Sequence, residues 1–328
     1  MAAPVCVGFI GCGRVTLARH LPALARVRGV EILAVCDPVP AAAEAAARAS
    51  GARVLADAEA LVAAVDVVAV CVPPALHAEA TVQALAEGRT VFLEKPLALD
   101  AADGARIAGA AADRQLVLGL NLRHHRLVRE ARDLVERGTL GSVRSVVTRM
   151  TSTEKPREEA RTAVLHDLGP HHFDLWRVLS GGEVRQVEAR GHTDGAVVTG
   201  VGSEGARLEA LLTHALVPVN DAVVTGEEAT LRLSAYRFDG LEVLRGGKGR
   251  RLEALRRLPE GLRAARSGGV FAESYVAQWR HVVAVARGEA APAVTAEDGL
   301  RLLEITLAAE ASRTGAGAVA PVRIGCPR

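Results

Sequence analysis

Val5-Cys6-Val7-Gly8-Phe9-Ile10-Gly11-Cys12-Gly13-Arg14-Val15-Thr16 reads as a strand, a glycine turn and the start of a helix. Six mostly apolar residues make a short buried strand, two glycines break it, and Leu17 to Val27 then takes helical spacing. Gly11 permits the tight turn. Gly13 lets the backbone come close to a pyrophosphate at a helix N-terminus, with Arg14 and Val15 completing the loop. A third small residue is replaced by Thr16, which predicts looser packing of that helix on its strand. The next apolar run, Glu31 to Cys36, ends at Asp37. A carboxylate there accepts from both ribose hydroxyls and repels a 2′-phosphate, so NAD is expected rather than NADP.

The pattern continues outward. A helix is predicted over Ala41 to Ala49, and a strand over Asp66 to Val72 that Pro73 and Pro74 stop, with His77 just beyond. A helix over Ala78 to Glu87 leads to Val91-Phe92-Leu93-Glu94-Lys95-Pro96; a helix over Ala101 to Ala112 and a strand over Leu116 to Leu120 come next. Alternating strands and helices predict a Rossmann-type doubly wound parallel sheet over residues 1–121. Ligands of such sheets lie beyond the carboxyl ends of the strands, where Pro73, Pro74, His77, Glu94 and Lys95 all fall.

Lys95 stands apart. Lysine occurs at 95, 155 and 248, whereas nearly all other basic residues are arginine. A chain this rich in arginine keeps lysine where a broad, permanently charged guanidinium does not serve. Pro96 disfavours helical geometry at Lys95 and holds it extended at a strand end.

Composition excludes several classes. At 328 residues two domains are expected. A net charge of +2 and 3% aromatic residues leave neither the electrostatic footprint nor the stacking platforms of nucleic-acid binding. Cys6, Cys12, Cys36, Cys71 and Cys326 are scattered without Cys-x-x-Cys spacing, so no zinc site or disulfide framework is expected. With no signal-like or membrane-length apolar run, the reading is a reduced, cytoplasmic protein.

From Asn121-Leu122-Arg123-His124-His125-Arg126 the character changes. A helix over Leu127 to Arg137 gives way to period-two segments at Val143–Thr151, Val184–His192, Leu208–Leu216, Ala222–Thr225, Ala229–Ala235 and Gly240–Leu244. Strands without crossover helices predict a mostly antiparallel α+β domain over 122–328, covered in part by helices over Ala272–Arg287 and Thr295–Thr314. Val146, Leu208, Ala210, Leu212, Leu231 and Leu233 form an apolar sheet face that predicts a homodimer or homotetramer. The Gly/Arg-rich stretch from Gly246 to Arg266 reads as a solvated loop, or as a lid over a polar substrate.

A second cluster is Leu165-His166-Asp167-Leu168-Gly169-Pro170-His171-His172-Phe173-Asp174. Pro170 suits a first helical position, and Gly181-Gly182 stops the helix. A histidine one turn inside, with Asp167 upstream to hold one tautomer, is what a general base for an alcohol requires. Metal binding is not expected, because no HExxH-type spacing appears.

Glu94-Lys95-Pro96, Gly119-Leu120-Asn121-Leu122-Arg123 and Asp167-x-Gly169-x-His171-x-x-Asp174, together with the glycine loop and the Thr295–Arg301 and Glu310–Gly315 segments, resemble the glucose–fructose oxidoreductase/inositol dehydrogenase (Gfo/Idh/MocA) family. The resemblance implies NAD-dependent interconversion of a secondary alcohol and a ketone on a sugar, sugar derivative or cyclitol. It implies that Lys95 and His171 contact the reacting hydroxyl and that Asp167 supports them. The same family also includes NAD-using glycosidases that act by oxidation and elimination, and non-catalytic dinucleotide-binding regulators. Asn121, Arg123, Arg149, Arg161 and His172 are candidates for substrate binding.

Overall fold

The computed structural model describes residues 3–112, 115–153, 163–215, 217–246, 248–249 and 269–325. The first sheet is built from β1 (Val5–Ile10), β2 (Val30–Cys36), β3 (Arg53–Val54), β4 (Val67–Val70), β5 (Thr90–Glu94) and β6 (Leu116–Gly119). All its pairings are parallel, in the order β3-β2-β1-β4-β5-β6. β4 is buried along its whole length because helices cover both faces of such a sheet, hence its unbroken Val-Val-Ala-Val. Strand order reverses between β1 and β4, so their carboxyl ends open a crevice at that point.

Helices over Pro40–Ser50, His77–Ala86 and Ala101–Ala111 lie where the sequence predicts them, and one over Ala58–Ala64 is not read from it. The α-helices between these strands are α1 (Leu21–Leu24), α2 (Pro40–Ser50), α3 (Ala58–Ala64), α4 (His77–Ala86) and α5 (Ala101–Ala111). The predicted helix over Leu17–Val27 departs from expectation: Thr16–His20 forms a π turn, and only Leu21–Leu24 is α-helical. Pro22 accounts for it in physical terms. Its ring collides with a carbonyl one turn back in an α-helix, and a wider turn before it relieves the clash. Thr16 packs better than its sequence suggested. Its side chain is fully buried and its hydroxyl donates to Gly11 O at 2.8 Å, so it closes the glycine turn.

The second sheet is mostly antiparallel, in the order β14-β13-β12-β11-β7-β10-β9-β8, with β7 and β10 parallel. Its strands are β7 (Val143–Ser152), β8 (Val184–His192), β9 (Gly195–Gly202), β10 (Arg207–His214), β11 (Val219–Gly226), β12 (Thr230–Ser234), β13 (Leu241–Arg245) and β14 (Lys248–Gly249). β9 is not apparent in the sequence because Gly195, Gly200 and Gly202 interrupt its alternation. Gly200 is needed there, since a Cβ would lie 2.8 Å from Gln186 O. The described helices α6 (Arg126–Glu136), α7 (Val164–Asp167) and α8 (Gly169–Ser180) belong to the same unit. Trp176 of α8 is fully buried and donates to Glu209 O of β10 at 3.2 Å.

Two expectations are corrected. The second domain is not one continuous span from 122 to 328. Ser274–Leu303 packs into one compact unit with Met1–Asn121, and Glu304–Arg323 into the other with Leu122–Glu273. The reason is Trp279 of α9 (Val270–Ala286), which is buried against Phe9 and Phe92 of the parallel sheet, with ring centroids 5.7 and 4.7 Å away. Gly299 of α10 (Ala296–Ala311) likewise lies against Leu97 and Leu118. Second, Val146, Leu208, Ala210, Leu212, Leu231 and Leu233 are not left for a partner, since all are buried within the chain. The opposite face of the same sheet carries the exposed Val197, Val201 and Leu211 instead. Arg161 and residues 250–266 of the Gly/Arg-rich stretch lie outside the described residues. Among the described residues, no helix is long and apolar enough to cross a membrane.

Candidate active site

In the first unit, the glycine turn has the features a dinucleotide requires. Gly11 has φ +96°, and a Cβ there would sit 2.5 Å from Cys71 O. A Cβ at Gly13 would meet no atom within 4 Å, so open space faces the loop at the point where a pyrophosphate approaches. Arg14 and Val15 begin the helix, whose first amides have no intrahelical acceptor. Asp37 is aimed from the end of β2: Oδ2 accepts Cys12 N–H at 2.7 Å, and Oδ1 accepts Val39 N–H at 2.8 Å. Each oxygen keeps a lone pair for a ribose hydroxyl. These residues fit NAD. Burial raises the Cys12 thiol to about 12, so this cysteine is inert packing in the loop.

Three residues expected at the cofactor or the substrate are placed otherwise. His77 is buried, with Nδ1 2.8 Å from Pro96 O and Nε2 3.1 Å from Val72 O. Burial lowers its pKa although both carbonyls favour the charged form, so one proton serves two acceptors. The ring ties the loop after β4 to the turn after β5 instead of facing a ligand. Glu94 is also turned inward, with Oε1 2.9 Å from His20 Nε2 and Oε2 accepting the Lys95 N–H at 3.1 Å. Asn121 is buried and donates to Ser274 Oγ at 2.9 Å, a contact inside the first unit. Pro73 is exposed and Pro74 half-buried at the crevice edge, and Lys95 is half-buried at the end of β5.

In the second unit, α7 and α8 are joined at Leu168. His171 and His172 lie in the first turn of α8, with Pro170 before them, and Gly181 ends the helix at φ +73°. His171 is 8% exposed, the edge of the interior. Asp167 lies at the end of α7, its Oδ2 3.9 Å from Nε2 of the buried His214. Sequence reasoning misses His214, although the inward set Leu208, Ala210, Leu212 leads directly to it on β10. His166 pairs with Glu310 at 3.1 Å, and that hydrogen bond holds the Glu310 carboxyl below its ordinary range.

The candidate substrate residues of this unit are otherwise engaged. Arg123 grips Asp174 with both ends of its guanidinium, at 2.7 and 2.6 Å, and Asp174 is 1% exposed. Arg149 binds Asp221 in the same bidentate way, through Nε at 3.0 Å and Nη2 at 2.5 Å. It alternates with the buried Val146, Thr148 and Met150, so it leaves the sheet on the face opposite that buried side. His172 is fully buried, out of reach of a dissolved substrate. His125 caps α6, accepting Leu127 N–H at Nδ1 and contacting Ala235 O through Nε2 at 3.0 Å. Among the described residues, no cluster of three metal-ligating side chains exists.

Residues 5–122 match the family model described as "Oxidoreductase family, NAD-binding Rossmann fold", and residues 128–242 match "GFO/IDH/MocA C-terminal domain". A dTDP-3,4-didehydro-2,6-dideoxy-alpha-D-glucose 3-reductase of Streptomyces violaceoruber is 36% identical over 55% of this chain and 55% of its own. The chain thus spans about half the length of the sugar reductase it matches. An inositol 2-dehydrogenase of Rhizobium meliloti is 26% identical over 92% of this chain and 94% of its own. Among solved structures, the WlbA dehydrogenase from Bordetella pertussis, in complex with NADH and UDP-GlcNAcA, has the same fold. Its TM-score is 0.84, at 21% identity, covering 97% of this chain and 98% of that one. With matches across both halves, the chain belongs to the GFO/IDH/MocA oxidoreductase family.

Proposed function

We propose that this protein interconverts a secondary alcohol and a ketone on a sugar, sugar derivative or cyclitol, with NAD as the hydride partner. The observation that carries this reading is the half-buried Lys95 at the carboxyl end of β5, in the same sheet as a glycine turn and an anchored Asp37 that fit NAD. The names of relatives support the substrate class, since they act on a dTDP-sugar or on inositol.

In this reading His171 takes the hydroxyl proton, and Lys95 hydrogen-bonds the same oxygen as negative charge develops on it. Asp167 supports the imidazolium. Both groups must reach one oxygen at about 2.6–3.2 Å. NAD, when bound, would supply the hydride acceptor for the same carbon. Asp37 disfavours NADP through repulsion of a 2′-phosphate. A homodimer or homotetramer remains part of the proposal, and it now rests on the exposed Val197, Val201 and Leu211 face.

The test is a screen of cyclitols, sugars and nucleotide sugars with NAD, monitored by NADH absorbance. Net NADH formation on one substrate class supports the reading. Glycoside cleavage without net redox change would replace it with the oxidation–elimination route. NAD binding with no turnover on any of these compounds would favour a regulator.

A further inference from the structure

Lys95 is flanked by two residues that buried histidines hold. On one side stands Glu94, with a carboxylate 2.9 Å from His20 Nε2. On the other stands Pro96, with a carbonyl 2.8 Å from His77 Nδ1. His20 is the more informative of the two. Trp279 Nε1 lies 3.1 Å from His20 Nδ1, and an indole nitrogen can only donate. Nδ1 is therefore the acceptor, so the ring proton sits on Nε2 and is donated to Glu94 Oε1. The other oxygen of the same carboxylate accepts the Lys95 N–H at 3.1 Å. Trp279, His20, Glu94 and the Lys95 backbone thus form one connected set of hydrogen bonds centred on the carboxylate.

The surroundings leave that set little freedom. The His20 ring is fully buried, with Phe92, Tyr275, Trp279 and Phe9 at centroid distances of 5.2, 5.6, 5.7 and 6.3 Å. Opposite Glu94 in β6 is Gly119, where a Cβ would stand 3.1 Å from Glu94 Oε1 and 2.9 Å from Phe92 Cζ. A larger residue there would push the carboxylate out of place. His20 is also the last residue of the π turn. A π turn takes up an extra residue, which rotates the residues beyond it by about 100° relative to a regular helix. His20 lies within that turn, and its ring meets Phe92 and Glu94 of β5.

We propose that His20 is a positioning residue for Lys95: with its tautomer set by Trp279, it keeps the Glu94 carboxylate turned inward, so that the lysine amine is presented without that carboxylate as its counter-ion. This rests on the assignment of Lys95 to the reacting oxygen. Without His20, Glu94 is free to swing out and pair with the neighbouring ammonium, which makes the amine a poorer nucleophile and a more tightly held proton donor.

The test needs no substrate. The full-length protein is labelled with trace acetic anhydride at one alkaline pH, and acetylation of Lys95 is read against Lys248 by peptide mass spectrometry. In His20→Leu, Lys95 is expected to label about threefold more slowly relative to Lys248, the consequence of a nearby carboxylate favouring the charged amine. Trp279→Phe, which removes one N–H and keeps an aromatic ring, slows it to a smaller degree and serves if the leucine variant does not fold. His20→Gln can accept from Trp279 and donate to Glu94, so it restores the wild-type rate. Unchanged labelling in folded His20→Leu or Trp279→Phe overturns the proposal, and so does a loss that glutamine does not repair. Turnover of Lys95→Ala is a separate matter: it tests the lysine's assignment, whereas the labelling ratio tests the effect of His20 on the lysine.

Discussion

His20 in the first unit and His172 in the second are equally sealed from solvent, and the protein treats them in opposite ways. His20 has a partner on each ring nitrogen, Trp279 on one and Glu94 on the other. His172 has none on either nitrogen among the described residues, and burial alone pushes its pKa down to about 3. Burial therefore does not decide what a histidine contributes; satisfaction of its two nitrogens does. The first is a fixed strut behind a strand-end turn. The second stays neutral and resists protonation.

The largest expected effect extends that contrast to charge. Arg123→Ala would leave the Asp174 carboxylate buried without its guanidinium, a loss of about 3–5 kcal/mol for a broken buried pair. Urea unfolding measures it, and a loss below about 1 kcal/mol would show that Asp174 finds water or another donor.

The glycine turn supplies the next comparison. Gly11→Ala puts a Cβ against the Cys71 carbonyl at a positive φ, which is expected to cost about 2 kcal/mol or more. Gly13→Ala meets open space, so stability should change by less than about 0.5 kcal/mol. NAD affinity should nonetheless fall about tenfold if Gly13 is where backbone and pyrophosphate meet. NADH fluorescence titration decides the point, and unchanged affinity in Gly13→Ala would remove this loop from the cofactor site.

Acid tests His172 itself. Above pH 6.5 its ring is neutral whether the chain is folded or not, so it has no effect on the pH dependence. As pH falls below 6.5 the unfolded chain takes a proton that the folded chain refuses. Stability then drops by about 1.4 kcal/mol per pH unit until the folded pKa, about 3, is reached. His125, lowered to about 4 by burial, adds a slope of the same sign. His172→Phe should remove one proton's worth of slope between about pH 6 and 4, and His125 should keep its own. An unaltered slope in urea unfolding across that range would mean that His172 gains a proton in the folded state.

The smallest effect is at the surface. Arg149→Ala breaks a bidentate pair whose arginine side chain is 57% exposed, and exposed pairs contribute about 0–1 kcal/mol. A larger loss there would blur the distinction between buried and exposed pairs on which the preceding predictions depend.

Much of this was legible in the sequence, for identifiable reasons. Continuous apolar runs ending at glycine or proline announced the parallel sheet, because both of its faces are covered. Alternation announced most of the second sheet and failed at β9, where glycines are spaced for backbone clearance. Asp37 and Lys95 stand out because strand ends are where such sheets bind ligands. Glu94 and His77 read as ligand contacts for the same reason. Position along a strand does not reveal which way a side chain turns, and here Glu94 meets His20 while His77 meets the Pro96 carbonyl. His20 and Trp279 are invisible as a pair, since 259 residues separate them and nothing local marks either one. Arg123 and Arg149 carry the right charge for a substrate, but their carboxylate partners lie on other elements and emerge only in the folded chain.

The most direct test compares Lys95→Ala with the wild type on whichever substrate the screen identifies, recording turnover and NAD affinity together. Loss of one preorganised donor at a developing oxyanion predicts a fall of about 10²–10³ in turnover, with NAD affinity nearly unchanged. Near-normal turnover in a folded, NAD-binding Lys95→Ala protein would contradict it.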